Sequence, residues 1–438
     1  MDTTTLFVVG LFLLVGCAVA VGELVSRLGQ TALIGQLAVG VVLGPTLLGG
    51  PLGLTAISPE FSGLEILATF FVLMTAGLAV TPDQIYATGG PSAALGITIF
   101  VVPFLAGAGV VHLLYPALGW TEGLFVSLTI SITALPVLGV MLREFGLFGT
   151  RFGTFLLNGA VVNELAAVTT FSILLRVHAT GYAVGTSVAI AGLTVVVFLT
   201  SILAVHFGLR SLRDLHLWDR LVARFRRDWH SPEGGFAFLM VGGLAAALYS
   251  QLLGLTFLVG AFYAGLLVTP ASAGVREHRD ITRIFEAVTW GFFIPLFFAL
   301  VGFGMDLRTL LASPLVLSGF AALCLFAFVS KLSVGGLVAR ALGWPPEDAL
   351  AAGFLVASRG AVELAMAVLL LSLGIFDTAV YTVVAGVGLV TTFLSPFGAR
   401  PFVRRGMGAD GPPVARGART GPGSLPSGPP EAGGTPPP

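Results

Sequence analysis

The sequence predicts an all-α membrane protein with 13 transmembrane helices arranged as inverted-topology repeats. Three observations predict this fold class: the composition, the spacing of the apolar segments, and a similarity between the two halves of the chain. Of the 438 residues, 56% are apolar and 10% are charged, whereas soluble domains carry about a quarter charged residues. The composition therefore excludes a soluble protein.

Apolar segments of roughly 20 residues, the length that spans a bilayer as a helix, recur along the chain. Charged and Pro/Gly-rich breaks separate 13 of them, at 6–27, 31–50, 62–81, 92–115, 121–143, 152–177, 183–207, 235–252, 254–270, 285–306, 310–340, 346–372 and 376–398. We therefore expect a transmembrane domain over 1–399. Residues 400–438 are rich in Gly, Pro, Arg and Ser, which predicts a disordered cytoplasmic tail.

The arginines distinguish the two sides of the membrane. With the amino terminus outside, 18 of the 22 basic residues lie on the inner side, and only Arg176 and Arg308 lie on the outer side. Six inner arginines belong to 208–233, which contains two tryptophans and predicts a basic amphipathic linker at the inner surface. We therefore expect a multi-pass protein of the cell membrane with a cytoplasmic carboxyl terminus.

The two halves of the chain share a pattern at a nearly constant offset. ALIGQLAVGVVLGP at 32–45 matches FLVGAFYAGLLVTP at 257–270 in four positions, with an offset of 225. A Phe-Phe-x-Leu pattern followed by glycine, ending at Gly77 and at Gly304, repeats with an offset of 227. The alternative to a true repeat is that these matches arise by chance, because Gly and Leu are abundant in membrane helices.

The matched segments lie seven spans apart, so they cross the membrane in opposite directions. Inverted repeats of this kind are common in secondary transporters, whose binding sites lie near the midplane where helices are interrupted. We therefore expect one repeat over about 31–207 and the other over about 254–398, joined by the linker 208–233.

Few charged residues fall inside the predicted helices, where each costs about 2.5–3.5 kcal/mol on insertion scales. Glu164 is the strongest functional candidate, because a carboxylate at this depth can hold a proton or a small cation but not both. Asn163 beside it offers an amide oxygen as a neutral ligand. The alternative is a structural glutamate paired with Lys331 or Arg359.

Ser131–Pro136 lies in the middle of the fifth segment. Proline removes a backbone donor, which frees carbonyls near Thr133, and hard monovalent cations prefer such oxygens. A plain proline kink is the alternative. The corresponding place in the second half is 358–360, Ser-Arg-Gly, and two interrupted helices at corresponding places indicate a binding site.

Lys331 and the pair Arg359/Glu363 each have two interpretations. An ion pair between residues four apart can be purely structural, which is the interpretation we favour for Arg359 and Glu363. Lys331 is either a second proton carrier or a counter-charge to Glu164, and the sequence does not decide between them.

Several classes of function lack their sequence signatures. The chain has no phosphate-cradling glycine loop with a lysine and no H-E-x-x-H, so we expect neither an enzyme nor a cofactor. Basic and acidic residues balance at 22 each, which argues against nucleic acid as a partner. Cys17 and Cys324 lie in apolar segments, so we interpret them as small apolar residues.

Six segments, taken in order, resemble those of the bacterial monovalent cation/proton antiporters, the sodium/hydrogen exchanger-like superfamily. They extend over about residues 5–398 and read ALIGQLAVGVVLGP, LTISITALPVLGVMLREFGL, LLNGAVVNELAAV, PLFFALVGFGMDL, SKLSVGGLVARALG and SRGAVELAMAVLLLSLG. The resemblance implies two discontinuous crossed helices, a core domain that moves against a dimerisation domain, and a homodimer in the lipid bilayer.

The resemblance also implies roles for individual residues. The polar pair of the family's sixth span matches Asn163 and Glu164, and members with asparagine first resemble the electroneutral exchangers. Glutamate stands here in place of the usual aspartate, one methylene longer. Thr133 lies where a cation ligand is expected, completing a monovalent-cation site with Asn163 and Glu164. Charge compensation, or setting the pKa of Glu164, would belong to Lys331, Arg359 and Glu363.

These observations together predict a secondary active antiporter that exchanges a monovalent cation, sodium or potassium, for protons by alternating access, without moving net charge. Two alternatives stay open at this stage. An organic-anion symporter on a similar scaffold would need a larger polar cavity, and a cation channel would need a continuous water-lined path.

Overall fold

A computed structural model of the chain describes residues 2–28, 31–78, 89–148, 150–180, 233–253, 255–268 and 275–406, together with a few positions between 193 and 208. The regular structure in these ranges is helical. The first part of the chain forms α1 (Thr3–Arg27), α2 (Ala32–Leu43), α3 (Ser62–Leu78), α4 (Gly90–Leu114), α5 (Trp120–Thr129), α6 (Leu135–Glu144) and α7 (Arg151–Thr180).

The second part forms α8 (Glu233–Leu252), α9 (Phe257–Leu267), α10 (Val275–Val288), α11 (Ile294–Phe303), α12 (Leu307–Leu311), α13 (Pro314–Ala341), α14 (Pro346–Val356), α15 (Ala361–Ser372) and α16 (Thr378–Gly406). A 3₁₀ helix at Leu54–Phe61 precedes α3, and a π-helical turn at Thr289–Phe293 joins α10 to α11.

Within the described residues, nine helical segments are long and apolar enough to cross a membrane, and two shorter apolar helices, α2 and α9, accompany them. The described helices overlap twelve of the thirteen predicted segments. The remaining predicted segment, 183–207, falls on residues that are described at only a few positions. The all-helical membrane architecture is thus confirmed, while the count of thirteen stays a prediction.

The two helices that carry the matched glycine pattern each pack against a helix of the other half: α2 against α11, and α9 against α3. A Cβ atom on Gly40 would lie 1.9 Å from the backbone oxygen of Ala299, and one on Gly265 would lie 2.2 Å from that of Met74. The helix backbones therefore touch at these points, which only glycine allows.

The facing helices contribute glycines of their own to these contacts. A Cβ atom on Gly302 or on Gly77 would also lie 2.1 Å or less from a backbone oxygen of the opposite helix. Gly77 and Gly302 are separated by the same offset as Gly40 and Gly265. In the second half, close helix approach thus occurs at Gly302, whereas Gly304, which follows the Phe-Phe-x-Leu pattern, faces the ring of Tyr381.

Two transmembrane segments are interrupted near their middle, as predicted. The first consists of α5 and α6, separated at residues 130–134, and the second of α14 and α15, separated at residues 357–360. The offset between the two interruptions matches that of the repeat. The long helix α7 packs beside the first interrupted segment, and α16 packs beside the second. Helix α4 in turn packs against α7, and α13 packs against both α14 and α16.

The carboxyl-terminal tail begins later than predicted. Helix α16 continues to Gly406, so residues 400–406 are helical rather than disordered. The reason is the packing of two residues: the Phe402 ring stacks on Phe354, with centroids 5.7 Å apart, and Val403 packs against the apolar core. The remainder of the predicted tail, 407–438, and the predicted linker, 208–233, lie outside the described residues except at Gly208 and Glu233.

Candidate functional site

The two interrupted segments cross at their breaks and are joined there by backbone and side-chain hydrogen bonds. The Ala134 N–H donates to the Ser358 carbonyl oxygen at 3.2 Å. The Thr133 hydroxyl donates to the Val356 carbonyl oxygen, at the end of α14, at 2.9 Å. A Cβ atom on Gly360 would lie 2.8 Å from the Cβ of Ala134. The predicted discontinuous, crossed helices are thus confirmed.

The first break follows from its sequence. Pro136 occupies the second position of α6 and supplies no N–H to the carbonyl four residues earlier, so a continuous helix through residue 132 would leave that oxygen unpaired. Proline is well tolerated in the first turn of a helix, where the N–H has no intrahelical partner. The chain therefore ends α5 at Thr129 and starts a new helix at Leu135.

Asn163 holds the unwound segment in place from α7. Its side-chain oxygen accepts a hydrogen bond from the Thr133 N–H at 2.8 Å, and its side-chain nitrogen donates to the Ser131 carbonyl oxygen at 3.1 Å. Asn163 is fully buried, so both backbone groups would otherwise lack a partner in an apolar environment, at a cost of several kcal/mol each. We call these two bonds the Asn163 clamp.

Lys331 reaches the same segment from α13. Its Nζ atom donates to the Thr133 hydroxyl oxygen at 2.7 Å, and its side chain is fully buried. Because Thr133 itself donates to the carboxyl-terminal end of α14, the ammonium charge is linked through Thr133 to the negative end of that helix dipole. Lys331 forms no ion pair within the described part of the chain.

Arg359 lies in the second break, not on a helical turn shared with Glu363 as the sequence spacing suggested. Its guanidinium donates to the carbonyl oxygens of Thr129 and Ala327, each at 3.2 Å. Thr129 is the last residue of α5, so this cation also compensates the negative end of a half-helix.

Glu363 occupies the first turn of α15, where the positive end of the helix dipole favours a carboxylate. Its oxygen lies 3.5 Å from the Arg359 guanidinium, and both side chains are fully buried. The predicted ion pair between Arg359 and Glu363 is thus present. Its separation exceeds the 2.7–2.9 Å typical of charge-assisted hydrogen bonds, and Arg359 keeps its two carbonyl partners besides.

Glu164 has neither a hydrogen bond nor an ion pair among the described residues, whereas Glu363 also lacks a hydrogen-bond partner but is paired with Arg359. Glu164 follows Asn163 on α7 and is completely buried, yet neither carboxylate oxygen has a hydrogen-bond partner. Across the described residues it also forms no ion pair, so the alternative of a structural glutamate paired with Lys331 or Arg359 has no support in the geometry. A buried carboxylate without partners is costly, and a bound proton or cation lowers that cost.

The structure therefore brings together most of the residues singled out in the sequence. Asn163, Thr133 and Lys331 are linked by direct hydrogen bonds, and Arg359 and Glu363 form the ion pair beside them. The side-chain oxygens of Asn163 and Thr133 each accept one hydrogen bond, so each keeps one free lone pair. Both atoms can therefore make a further contact. The predicted role of these residues as cation ligands stays a prediction.

One residue at the crossing was missed by the sequence analysis. The Thr392 hydroxyl on α16 accepts a hydrogen bond from the Arg359 N–H at 3.2 Å and donates to the Arg359 carbonyl oxygen at 2.8 Å. The sequence signal was weak, because the repeat offset assigns the counterpart of Asn163 to residues 388–390, two to four residues before Thr392. A single threonine in an apolar helix does not by itself indicate a functional site.

Chemically, the site offers one buried carboxylate without a partner, Glu164, next in sequence to Asn163, whose side chain binds the unwound segment. Among the described residues no group of three or more His, Cys, Asp or Glu side chains is arranged to hold a metal ion. The donors at hand are one carboxylate, one amide oxygen and one hydroxyl oxygen, a set suited to a hard monovalent cation or a proton.

Comparisons with known proteins agree with this arrangement. The model of the family described as "Sodium/hydrogen exchanger, transmembrane" matches residues 10–405. The chain is 25% identical over 411 residues to the Na(+)/H(+) antiporter NhaS4 of Synechocystis, covering 90% of this chain and 97% of that protein. It is 25% identical to the Na(+)/H(+)-K(+) antiporter GerN of Bacillus cereus, covering 86% and 90% respectively.

Among solved structures, the sodium proton antiporter MjNhaP1 from Methanocaldococcus jannaschii at pH 8 has a similar fold. The TM-score is 0.70 at 13% sequence identity, over 92% of this chain and 99% of that one. The match extends the agreement from sequence to the whole fold. The chain therefore belongs to the sodium/hydrogen exchanger family and is a multi-pass membrane cation/proton antiporter.

Proposed function

We propose that Glu164 is the ion-binding carboxylate of this antiporter and carries either a proton or a monovalent cation in each half of the transport cycle. The observation that supports this is the isolation of its carboxylate, which is fully buried and has neither a hydrogen bond nor an ion pair among the described residues, whereas Glu363 is paired with Arg359 and Lys331 donates to Thr133. One carboxylate cannot hold both ions comfortably, so binding is competitive. Competition at one site, combined with alternating access, yields exchange.

The cation we propose is sodium or potassium. The names of two relatives support this choice, one being a Na(+)/H(+) antiporter and the other a Na(+)/H(+)-K(+) antiporter. Asn163 and Thr133 would complete the cation shell with oxygen atoms. Glutamate in place of the family's usual aspartate extends the carboxylate by one methylene, which is expected to shift the preference among cations.

We further propose that exchange is electroneutral, one proton for one cation. Glu164 is the carboxylate at the crossing that lacks a charged partner, whereas Glu363 is paired with Arg359. Lys331 donates to Thr133, which supports a fixed role for this lysine rather than one as a second proton carrier. With a single exchanging carboxylate, the transport step carries the same charge in both directions.

The remaining features of the proposal concern the whole protein. We propose a transporter without enzymatic activity or a cofactor, acting as a homodimer in the cell membrane, with the amino terminus outside and the carboxyl terminus in the cytoplasm. Its transmembrane domain would span 1–399, with repeats over about 31–207 and 254–398. The glycine contacts between α2 and α11 and between α9 and α3 support a division in which each repeat completes the packing of the other.

The test uses purified protein in proteoliposomes that hold an acidic interior, with a pH-sensitive dye reporting proton movement. Sodium, potassium or lithium is added outside, with the membrane potential either intact or collapsed by an ionophore. We expect sodium or potassium to dissipate the gradient at a rate that does not depend on the potential. No response to any of the three cations would contradict the proposed substrates, and a potential-dependent rate would contradict electroneutrality.

The two other functions that the sequence left open gain no support. An organic-anion symporter and a cation channel both differ in kind from the antiporters that the chain resembles over most of its length. Uptake of a labelled organic anion, or current without proton movement, would be the corresponding observations against the proposal.

A further inference from the structure

The two breaks at the crossing are each held by one side chain from a neighbouring long helix. In the first half, Asn163 on α7 binds a backbone N–H and a backbone carbonyl of the unwound segment. In the second half, Thr392 on α16 does the same, accepting from the Arg359 N–H and donating to the Arg359 carbonyl oxygen. We call the second pair of bonds the Thr392 clamp.

The correspondence extends to position in the repeat. Thr133 and Arg359, whose N–H groups are bound, are 226 residues apart, within the repeat offset of 225 to 227. Asn163 and Thr392 are 229 residues apart, so Thr392 lies two to four residues beyond the exact counterpart of Asn163. Asn163 uses an amide for two different residues, whereas Thr392 uses a single hydroxyl for both backbone groups of one residue. A hydroxyl can do this because it carries one donor and two acceptor lone pairs.

Packing leaves a small space next to the backbone of Arg359. A cavity of about 20 Å³ borders the second break and is lined by Arg359, Gly360, Thr392 and apolar residues of α2, α11, α15 and α16. This volume is about that of one water molecule, so a small shift of the segment meets little resistance on this side if the hydrogen bonds are lost. The Thr392 clamp is therefore one of the contacts that set the backbone position of Arg359, together with the bond from the Ala134 N–H to the Ser358 carbonyl oxygen.

The position of Arg359 matters to the crossing as a whole. Its guanidinium bridges the carbonyl oxygens of Thr129 on α5 and Ala327 on α13 and lies 3.5 Å from Glu363. A displaced Arg359 backbone would withdraw this charge from the end of α5, where the first break begins. Movement at the second break is thus transmitted to the first, which is bound by Asn163 on α7, the neighbour of Glu164.

We propose that Thr392 is a positioning residue of the antiporter: its clamp fixes Arg359 so that the crossing adopts the geometry competent for cation binding. Thr392 acts through Arg359 and does not itself contact the cation. The inference rests on the proposed function, because cation binding at the crossing is the property that it modulates.

The test compares Thr392→Val with Thr391→Val in proteoliposomes. Valine has nearly the shape of threonine but removes the hydroxyl. Thr391 is the matched control, because it is the preceding residue and is also buried, but its hydroxyl bonds only to the Val387 and Gly388 carbonyls of its own helix. For each variant, the apparent KM for the cation and the maximal rate are measured, together with the melting temperature in detergent.

We expect Thr392→Val to raise the apparent KM about tenfold, because a lower population of the competent geometry weakens binding in proportion. The maximal rate and melting temperature should change much less. Thr392→Ser, which keeps the hydroxyl, should stay within about twofold of the wild type, as should Thr391→Val. A purely structural role would lower the melting temperature and leave the KM unchanged.

The outcomes separate this inference from the proposed function. If the wild type and Thr391→Val show cation-driven proton movement while Thr392→Val has the wild-type KM, the inference is wrong and the function stands. If the wild type shows no exchange with sodium, potassium or lithium, the proposed function is wrong. Should Thr392→Val not fold, Thr392→Cys replaces it, since a thiol is only a weak donor and acceptor, and the same rise in KM is expected.

Discussion

The two breaks at the crossing share one architecture but differ in how their charges are compensated. In the second break, Arg359 has two carbonyl partners and an ion pair with Glu363, which itself lies in the first turn of α15. In the first break, the half-helix α6 has no acidic residue in its first turn, and the nearby Glu164 has no partner among the described residues.

This difference separates scaffold from site. Charges that are compensated inside the protein gain nothing from an external ion, whereas an uncompensated carboxylate gains a great deal. On the proposed function, the second break is a fixed electrostatic frame, and Glu164 on α7 is the exchangeable position. The difference in partners between the two halves is the reason we propose Glu164 as the exchanging carboxylate.

The largest expected effect is on Glu164. Glu164→Gln removes the exchangeable charge while keeping the size of the side chain, so we expect cation/proton exchange to fall at least about a hundredfold, as measured by dye recovery in proteoliposomes. The melting temperature should not fall, since a neutral amide is cheaper to bury than an unpartnered carboxylate.

Two further variants sharpen this prediction. Glu164→Asp should retain exchange with an altered order of preference among sodium, potassium and lithium, because the carboxylate moves back by one methylene. Glu122→Gln, on the first turn of α5 and remote from the break, should exchange at the wild-type rate. Full activity in Glu164→Gln would refute the assignment of the first break as the site.

The second prediction concerns the compensated break. Arg359→Met leaves the buried Glu363 carboxylate unpaired, which is expected to cost about 3–5 kcal/mol of stability and to lower the melting temperature clearly. Adding Glu363→Gln in the same protein should restore part of that loss, because no bare charge remains. Arg340→Met, at an exposed arginine near the end of α13, serves as the control and should shift the melting temperature little. If Arg359→Met and the double variant Arg359→Met/Glu363→Gln were equally stable, the interaction between Arg359 and Glu363 would not contribute to stability.

The third prediction tests the Asn163 clamp. Asn163→Leu keeps a similar volume but leaves the Thr133 N–H and the Ser131 carbonyl without their partners, so we expect a loss of about 2 kcal/mol, equivalent to roughly a thirtyfold weaker apparent cation affinity. Ser172→Ala on the same helix removes only a bond to the helix's own Val168 carbonyl and should have little effect. Similar KM values in the two variants would argue against a clamp.

The smallest effect is expected at Lys331, the only lysine of the chain. Lys331→Gln keeps a donor for the Thr133 hydroxyl, so we expect the apparent affinity to change by roughly fivefold or less and exchange to remain independent of the membrane potential. Lys331→Leu, which lacks the donor, should be more impaired. A wild type that responds to the potential, together with a Lys331→Gln variant that does not, would instead identify Lys331 as a proton carrier.

The sequence alone determined the membrane class, the inverted relation of the halves and the places of the two breaks. These properties follow from local chemistry: apolar runs long enough to span a bilayer, glycines at a fixed offset, and a proline that cannot continue a helix. It also indicated Glu164 and Asn163 as candidate site residues, because a charged or amide group in an apolar membrane span is costly whatever its tertiary surroundings.

Only the tertiary structure decided how these residues are partnered. Lys331 could have paired with either glutamate on sequence grounds, but it binds Thr133, and Arg359 gains carbonyl partners from α5 and α13. Thr392 became visible only as the partner of the second break. The physical reason is that a hydrogen bond or ion pair depends on distances between elements far apart in the chain, and helix packing sets those distances.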